Sequence, residues 1–171
     1  VQSFLDNELQ AINRRHSAKQ ASEAIENCKR LGFKNISLDL MYGLPGQTLD
    51  SFRMSIDEAL KLPVTHISSY ALSWEEGSVL YEKRKQGLLV QTDDETLESC
   101  YFELIDRLKS KNFRQYELSN FALPGFESRH NSSYWNGFSY LGIGPGAHSY
   151  NGWVRRVNVQ SIDQYINGLA E

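Results

Sequence analysis

The chain has 171 residues, of which 40% are hydrophobic and 12% aromatic, with a formal net charge of −3 and two cysteines. This length favours one domain with a real core, or a core with a small appendage. The composition excludes a largely disordered chain and a disulfide-rich secreted scaffold, and neither the charge nor the apolar runs favour nucleic-acid binding or membrane spanning.

Residues 17–110 alternate between helical and strand patterns, which is typical of parallel βα units. The predicted helices cover residues 21–31, 49–60 and 97–108, and the predicted strands cover residues 36–41 and 65–70. The first strand places Ser37, Asp39 and Met41 on the face opposite three apolar residues. A charged helical stretch that runs to Gln86 completes the second βα unit.

The composition changes after Phe113, because residues 113–153 contain ten of the 20 aromatic residues and six of the 12 glycines. We therefore predict a first region over residues 1–112 and a second over residues 113–171. The last helix-like segment covers residues 161–169 and looks unfinished at the C-terminus. Since the chain also opens on what reads as the end of a strand, we expect a fragment of a longer protein.

Two polar residues lie where a parallel sheet would bind a ligand, and a third, Arg14, follows a short helix nearby in the sequence. Asp39 is near the carboxyl end of its strand, and Gln2 occupies the equivalent position of the strand that opens the chain. From spacing alone, a ligand contact and a structural cap are equally good interpretations of Asp39. Arg14 could pair with a carboxylate, although a solvated residue is the better interpretation of a cation that closes a short helix.

Two glycine-rich segments predict tight turns. Residues 43–46 suit a type II turn ahead of a helix. Residues 142–147 superficially match a dinucleotide-binding loop, but no apolar helix follows them, so that interpretation is rejected. Their three glycines and one proline instead predict close approach to a ligand or to another segment.

His130, Tyr134 and Trp135 place an imidazole next to aromatic rings, close in sequence to the second glycine-rich segment. An imidazole nitrogen is a good axial ligand for haem iron, and aromatic side chains suit a flat macrocycle. From these residues alone, a satisfied, half-buried histidine is the better-supported alternative. Cys28 and Cys100 each lie on an apolar helical stripe and are interpreted as core residues, so no zinc or iron–sulfur site is predicted in this chain.

Several motifs in a fixed order resemble the oxygen-independent coproporphyrinogen III oxidase-like family of radical SAM (S-adenosylmethionine) proteins. They are residues 1–4, 13–14, 39–48, 70–72, 129–135 and 142–149. The resemblance covers essentially the whole chain. It implies an α/β fold, the C-terminal part of a partial (β/α)6 barrel over residues 1–112, and the start of an α+β extension over residues 113–171.

The resemblance also implies cofactors. S-adenosylmethionine would lie at the C-terminal strand ends, where the matching contact positions are Gln2, Arg14, Asp39, Met41 and, less securely, Ala71. Family members bind a [4Fe–4S] cluster through an N-terminal Cys-x-x-x-Cys-x-x-Cys motif, which this chain lacks. The resemblance therefore places the cluster ligands upstream of the chain and implies that the fragment alone is inactive.

Within the family, the motif His130-Asn131-x-x-Tyr134-Trp135 resembles the haem-chaperone branch, which associates its histidine with haem. The oxidase branch is expected to have aspartate where this chain has Ser3. The main hypothesis is therefore a haem carrier that uses His130 as an iron ligand and Tyr134 and Trp135 as a flat apolar surface.

The partners implied for such a carrier are haem and acceptor haemoproteins such as cytochromes. The alternative is an enzyme that oxidatively decarboxylates the propionates of coproporphyrinogen III to vinyl groups. No nucleic-acid partner and no transmembrane segment are expected. The implied location is the cytoplasm, with peripheral association at the inner membrane as an open alternative.

Overall fold

A computed structural model describes residues 1–168 in two compact units, residues 1–127 and the residues from 128 onward. Leu169, the predicted end of the last helix, lies outside the described residues. No helix within residues 1–168 is long and apolar enough to cross a membrane.

The first unit combines a four-stranded sheet with five helices among its described residues. Its strands are β1 (Ser37–Tyr42), β2 (His66–Ala71), β3 (Arg114–Gln115) and β4 (Asn120–Ala122). Its helices are α1 (Asp6–Ala11), α2 (Ala18–Arg30), α3 (Leu49–Lys61), α4 (Val79–Lys85) and α5 (Asp94–Ser110). The two strands predicted from hydrophobic alternation are confirmed, each one residue later in the chain than expected.

The sheet has a parallel part and an antiparallel part. β1 and β2 pair in parallel, and Gln2 forms a parallel bridge to Leu40 through two backbone hydrogen bonds of 2.8 Å. β2 then pairs antiparallel with β4, which pairs antiparallel with β3, in the order β1-β2-β4-β3. The parallel strands with helices between them confirm the predicted α/β barrel segment.

The boundary between the two units differs from the prediction. Residues 113–127 belong to the first unit, because Phe113 is buried in its core and Phe121 pairs with Ile67 across the sheet. The compact units therefore divide after residue 127, and not after residue 112. The change in composition at residue 113 reflects an antiparallel edge added to the sheet.

Local sequence signals explain where the main helices begin. Ser17 and Thr48 each cap a helix through a reciprocal capping box, with Gln20 and Ser51 respectively. The turn predicted before α3 is confirmed: the backbone N–H of Gln47 donates to the carbonyl of Leu44 at 2.9 Å, and Gly46 has a φ of 75°. This turn lies within the six residues, 43–48, that connect the carboxyl end of β1 to α3.

Helices α3 and α5 pack on the sheet around one apolar core, and an ion-pair network links their outer surfaces. Arg53 on α3 lies 2.9 Å from Glu103 on α5, which also pairs with Arg107. The hydrogen bonds from Arg53 and Arg107 lower the pKa of Glu103 to about 2. The core itself includes residues from every layer: Ile25, Leu38, Leu40, Phe52, Ile56, Ile67, Leu104, Leu108 and Phe121.

The second unit contains helix α6 (Arg129–Trp135), strands β5 (His148–Tyr150) and β6 (Arg155–Val157), and helix α7 (Ile162–Gly168). β5 and β6 form an antiparallel hairpin, and Tyr140 adds an antiparallel bridge to Tyr150. Gly142 packs against the backbone of His148, where a Cβ atom would lie 2.1 Å from the carbonyl oxygen. The close approach predicted for the glycine-rich segment is therefore confirmed, and the partner is another segment of the same unit.

Candidate functional sites

The carboxyl end of β1 places two of the predicted cofactor contacts on one face of the sheet. In the parallel register, Asp39 lies beside Ser68 and Met41 beside Tyr70. Because side chains alternate along a strand, Asp39 and Met41 share the face opposite the helices. Asp39 is exposed and Met41 half-buried, so both can be reached by a ligand at this edge.

Gln2 adjoins this edge with an unusual backbone. Its φ of 75° lies in the left-handed region, which non-glycine residues rarely adopt. The strain is held by the hydrogen bonds that fix Gln2 between the backbone groups of Asp39 and Met41. Strained backbone of this kind occurs at binding sites, where the surrounding structure overdetermines it.

Arg14 and Met41 line one cavity of about 470 Å³, together with Leu72 after β2 and Lys83 on α4. The volume is within the range of small-molecule sites. Lys83 is a further cation at this site that the sequence reasoning did not identify. Its only sequence signal was the charged stretch of α4, which is the ordinary pattern of a solvated helix.

Ala71 differs from Asp39 and Met41, because its register partner is Tyr42 and it lies on the opposite face of the sheet from Asp39.

The buried carboxyl group of Glu8 supports the carboxyl end of β1. Glu8 on α1 is 1% exposed and accepts hydrogen bonds from Ser3 Oγ at 2.6 Å, Gln47 Nε2 at 2.9 Å and Ser51 Oγ at 2.6 Å. Gln47 Nε2 also lies 3.3 Å from the carbonyl oxygen of Met41. Glu8 therefore links Ser3, beside the bridge at Gln2, to the turn after β1 and to helix α3. The sequence reasoning did not identify it, since a glutamate is almost never fully buried.

The second unit contains the predicted histidine motif. His130 and Tyr134 lie one turn apart on α6, with their rings edge to face and their centroids 5.0 Å apart. Tyr134 in turn meets Tyr140 edge to face at 4.7 Å, and Tyr140 lies 6.1 Å from Tyr150. The result is a row of aromatic rings that runs from the helix onto the hairpin.

His130, Tyr134 and Trp135 line one cavity of about 740 Å³, as the haem interpretation of this motif expects. Trp135 is 64% exposed, so a flat ligand could cover its ring. The cavity is also lined by His148 and Arg155. Neither residue is predicted from the sequence pattern, because their place beside α6 depends on how the hairpin folds.

The four histidines differ in their hydrogen bonds. His66 is satisfied at both nitrogens, with Nδ1 2.8 Å from Ser37 Oγ and Nε2 2.7 Å from Tyr116 Oη. His16 Nε2 lies 3.1 Å from the carbonyl oxygen of Val1. Among the described residues, the ring nitrogens of His130 and His148 accept and donate no hydrogen bond. These two imidazoles are therefore the ones available to a ligand.

Two further residues hold the glycine-rich segment beside the cavity. Asn158 Nδ2 donates to the carbonyl oxygens of Gly142 and Gly144 at 3.3 and 2.9 Å. The backbone N–H of Gly144 donates to Tyr165 Oη at 3.0 Å. These contacts fix the position of the glycine-rich segment, because its glycines have no side chains that could pack and hold it in place.

The cysteines occupy the positions expected of core residues. Cys28 is half-buried on α2 and Cys100 is buried on α5, where burial raises the pKa of its thiol to about 11. Within residues 1–168, no group of three or more histidine, cysteine, aspartate or glutamate side chains is placed to hold a metal ion.

Residues 1–59 match the model of the radical SAM superfamily. Heme chaperone HemW from Bacillus subtilis is 42% identical over 171 residues, and HemW from Lactococcus lactis is 36% identical over 166 residues. The alignments cover 100% and 97% of this chain, and 45% and 44% of those proteins. The chain therefore spans less than half the length of these curated relatives.

A solved structure matches across both units. The structure of coproporphyrinogen III oxidase (HemN) from Escherichia coli matches with a TM-score of 0.75 at 19% sequence identity, covering 99% of this chain and 42% of that one. At this identity the match shows the fold alone.

These similarities support a radical SAM protein that resembles the coproporphyrinogen III oxidase-like family. Within that resemblance the sequence is similar to the haem-chaperone branch, since three curated HemW proteins are 36–42% identical to it over nearly its whole length.

Proposed function

We propose that this chain is the haem-binding and cofactor-binding part of a radical SAM haem chaperone. The observation that carries the proposal is the cavity of the second unit, where the unpartnered imidazole of His130 lies beside Tyr134 and the exposed ring of Trp135. An imidazole nitrogen ligates haem iron, and the aromatic rings offer the macrocycle an apolar surface. The protein would then pass haem to acceptor haemoproteins such as cytochromes.

The openness of the site suits a carrier. His130 and Trp135 are both exposed, so bound haem would keep one part of its surface accessible to an acceptor. A carrier must release its cargo, which requires fewer enclosing contacts than a permanent haem pocket. The aromatic rings in the core of the first unit, by contrast, are buried.

S-adenosylmethionine would lie at the carboxyl end of β1, against the cavity that Arg14 and Met41 line. Arg14 would pair with the methionyl carboxylate, Asp39 and Gln2 would hydrogen-bond the ribose or the amino-acid portion, and Met41 would line the adenine. Ala71 would contribute through its backbone at the end of β2, since its side chain lies on the opposite face of the sheet from Asp39. When bound and reduced by the family's [4Fe–4S] cluster, this cofactor supplies a 5′-deoxyadenosyl radical.

The described residues do not supply the ligands that a [4Fe–4S] cluster needs. The two cysteines lie on different helices, and neither has a partner thiolate that could share an iron. The role we assign to this chain is therefore to bind and orient the cofactor, and not to hold the cluster.

The oxidase alternative conflicts with the buried network around Glu8. The oxidase branch is expected to have aspartate at position 3, where this chain has a serine whose hydroxyl donates to Glu8. An aspartate would bring a second carboxyl group to the oxygen atoms of Glu8, in a place without water. Ser3 and Glu8 are therefore a matched pair that supports the chaperone branch.

The test is haem titration of the full-length protein, followed by the Soret band. His130→Ala should lose or shift the band, whereas His16→Ala removes an imidazole outside the cavity and should leave the band unchanged. Anaerobic incubation with coproporphyrinogen III, reductant and S-adenosylmethionine should yield no divinyl product. Product formation, or a His130→Ala spectrum identical to the wild type, would contradict the proposal.

A further inference from the structure

The cavity that His130 lines is also lined by a second imidazole, that of His148, and by the guanidinium of Arg155. His148 opens β5, and Arg155 opens β6. The antiparallel register places Arg155 opposite Tyr150 and His148 opposite Val157. Because side chains alternate along each strand, His148, Tyr150 and Arg155 share one face of the hairpin.

Two polar side chains on this face are uncommitted. The imidazole of His148 and the guanidinium of Arg155 make no hydrogen bond or ion pair among the described residues, whereas Tyr150 Oη donates to the carbonyl oxygen of Gly152 at 2.8 Å. His148 and Arg155 can therefore contact a ligand without breaking a hydrogen bond of the hairpin.

The charge of the second unit favours an anionic ligand. Residues 128–168 contain three arginines, Arg129, Arg155 and Arg156, and a single acidic residue, Asp163. The whole chain has a net charge of −3, so the net positive charge of this unit comes from its shortage of acidic residues, and Arg155 is the cation that lines the cavity. An Arg guanidinium matches the geometry of a carboxylate, which it can bind through two parallel hydrogen bonds.

We propose that His148 and Arg155 complete the haem site: His148 supplies a second imidazole to the iron that His130 binds, and Arg155 pairs with a haem propionate. This inference rests on the proposed function and extends it to the chemistry of the ligand. Haem iron has two axial positions, and the cavity offers two unpartnered imidazoles. The ligand class is an iron porphyrin with at least one free propionate.

The two histidines come from elements with different local stability. His130 is on a seven-residue helix with no buried residue, whereas the backbone of His148 is fixed by Gly142 and by the hairpin. The backbone of His148 is therefore held by contacts outside its own strand, whereas the ring of His130 is positioned by its edge-to-face contact with Tyr134.

The role of His148 can be tested by the coordination state of ferric haem in the full-length protein. Wild type should give the low-spin, six-coordinate spectrum of bis-imidazole ligation. His148→Ala should give a high-spin spectrum, and added free imidazole should restore the low-spin form. Since Gly142 contacts only the backbone of His148, this substitution leaves the glycine packing in place. His148→Gln, which retains a polar side chain of similar reach, should behave in the same way.

The role of Arg155 can be tested by comparing haem with haem dimethyl ester. Arg155→Gln should weaken haem binding by about fivefold, the effect of one partly exposed ion pair. The same substitution should leave the affinity for the dimethyl ester unchanged, since that ligand has no free carboxylate. Arg156→Gln is the matched control, because Arg156 pairs with Ser149 on the other face of the hairpin.

The outcomes separate this inference from the proposed function. If wild type binds no haem, or if His130→Ala leaves the spectrum unchanged, the proposed function fails. If wild type binds haem through His130 but is already high-spin, or His148→Ala remains low-spin, the assignment of His148 is overturned. Equal losses for the haem and the ester in Arg155→Gln would overturn the assignment of Arg155.

Discussion

Replacing Glu8 should loosen the edge of the sheet that carries the S-adenosylmethionine contacts. Glu8→Ala removes the acceptor of three buried hydrogen bonds, from Ser3, Gln47 and Ser51. A hydrogen bond to a charged group contributes about 1.5–3 kcal/mol, and less when its donor has another acceptor available.

Each of these three donors has such an alternative. Ser3 Oγ is 3.2 Å from Ser55 Oγ, Gln47 Nε2 is 3.3 Å from the Met41 carbonyl, and Ser51 Oγ is 3.0 Å from the Thr48 carbonyl. We therefore take about 1 kcal/mol for each bond and expect a loss of about 3 kcal/mol in the free energy of unfolding. Glu8→Gln keeps one acceptor oxygen and the side-chain volume, so its loss should be about half of that.

The assay is urea denaturation of the full-length protein, followed by circular dichroism, with hydrogen exchange across residues 43–48 as a local probe. Exchange in this turn should accelerate in Glu8→Ala, because Gln47 loses the acceptor that anchors it. Glu26→Ala removes an exposed glutamate from α2 and should change the free energy of unfolding by less than about 0.5 kcal/mol. If Glu8→Ala costs no more than Glu26→Ala, the network has no role in holding this edge.

Three further substitutions test the two sites and the fold. Asp39→Ala should weaken S-adenosylmethionine binding by about tenfold in calorimetry of the full-length protein, since a charged hydrogen bond is lost; unchanged affinity would make Asp39 a structural cap. Gly142→Ala should destabilise the second unit by about 2 kcal/mol and abolish haem binding, because its Cβ would collide with the backbone of His148. Gly168→Ala, where a Cβ meets nothing within 4 Å, should do neither. Burial lowers the pKa of His66 below its usual 6.5, so the unfolded chain takes up a proton first as the pH falls. Stability should therefore decline as the pH drops below about 6.5, and His66→Asn should remove that slope in denaturation curves measured between pH 5 and 8; a slope that persists would assign it to another group.

The sequence by itself determined the local structure of the first unit and one of the two candidate sites, the one at the carboxyl end of β1. The alternation of β1 predicted that Asp39 and Met41 share one face, and the spacing of apolar residues predicted that α3 begins at Leu49. These features depend on contacts between residues close in the chain, so their spacing in the sequence is sufficient to predict them.

Only the tertiary structure decided which residues meet across the chain. The two phenylalanines Phe113 and Phe121 joined the first unit's sheet because an antiparallel edge could bury them, which a change in composition cannot reveal. Glu8 became the centre of a buried network because three donors from distant segments converge on it. His148 and Arg155 reached the cavity of His130 through the pairing of a hairpin, and no periodicity in the sequence records that pairing. Contacts at long sequence separation depend on the path of the backbone, and the packing of the whole unit sets that path.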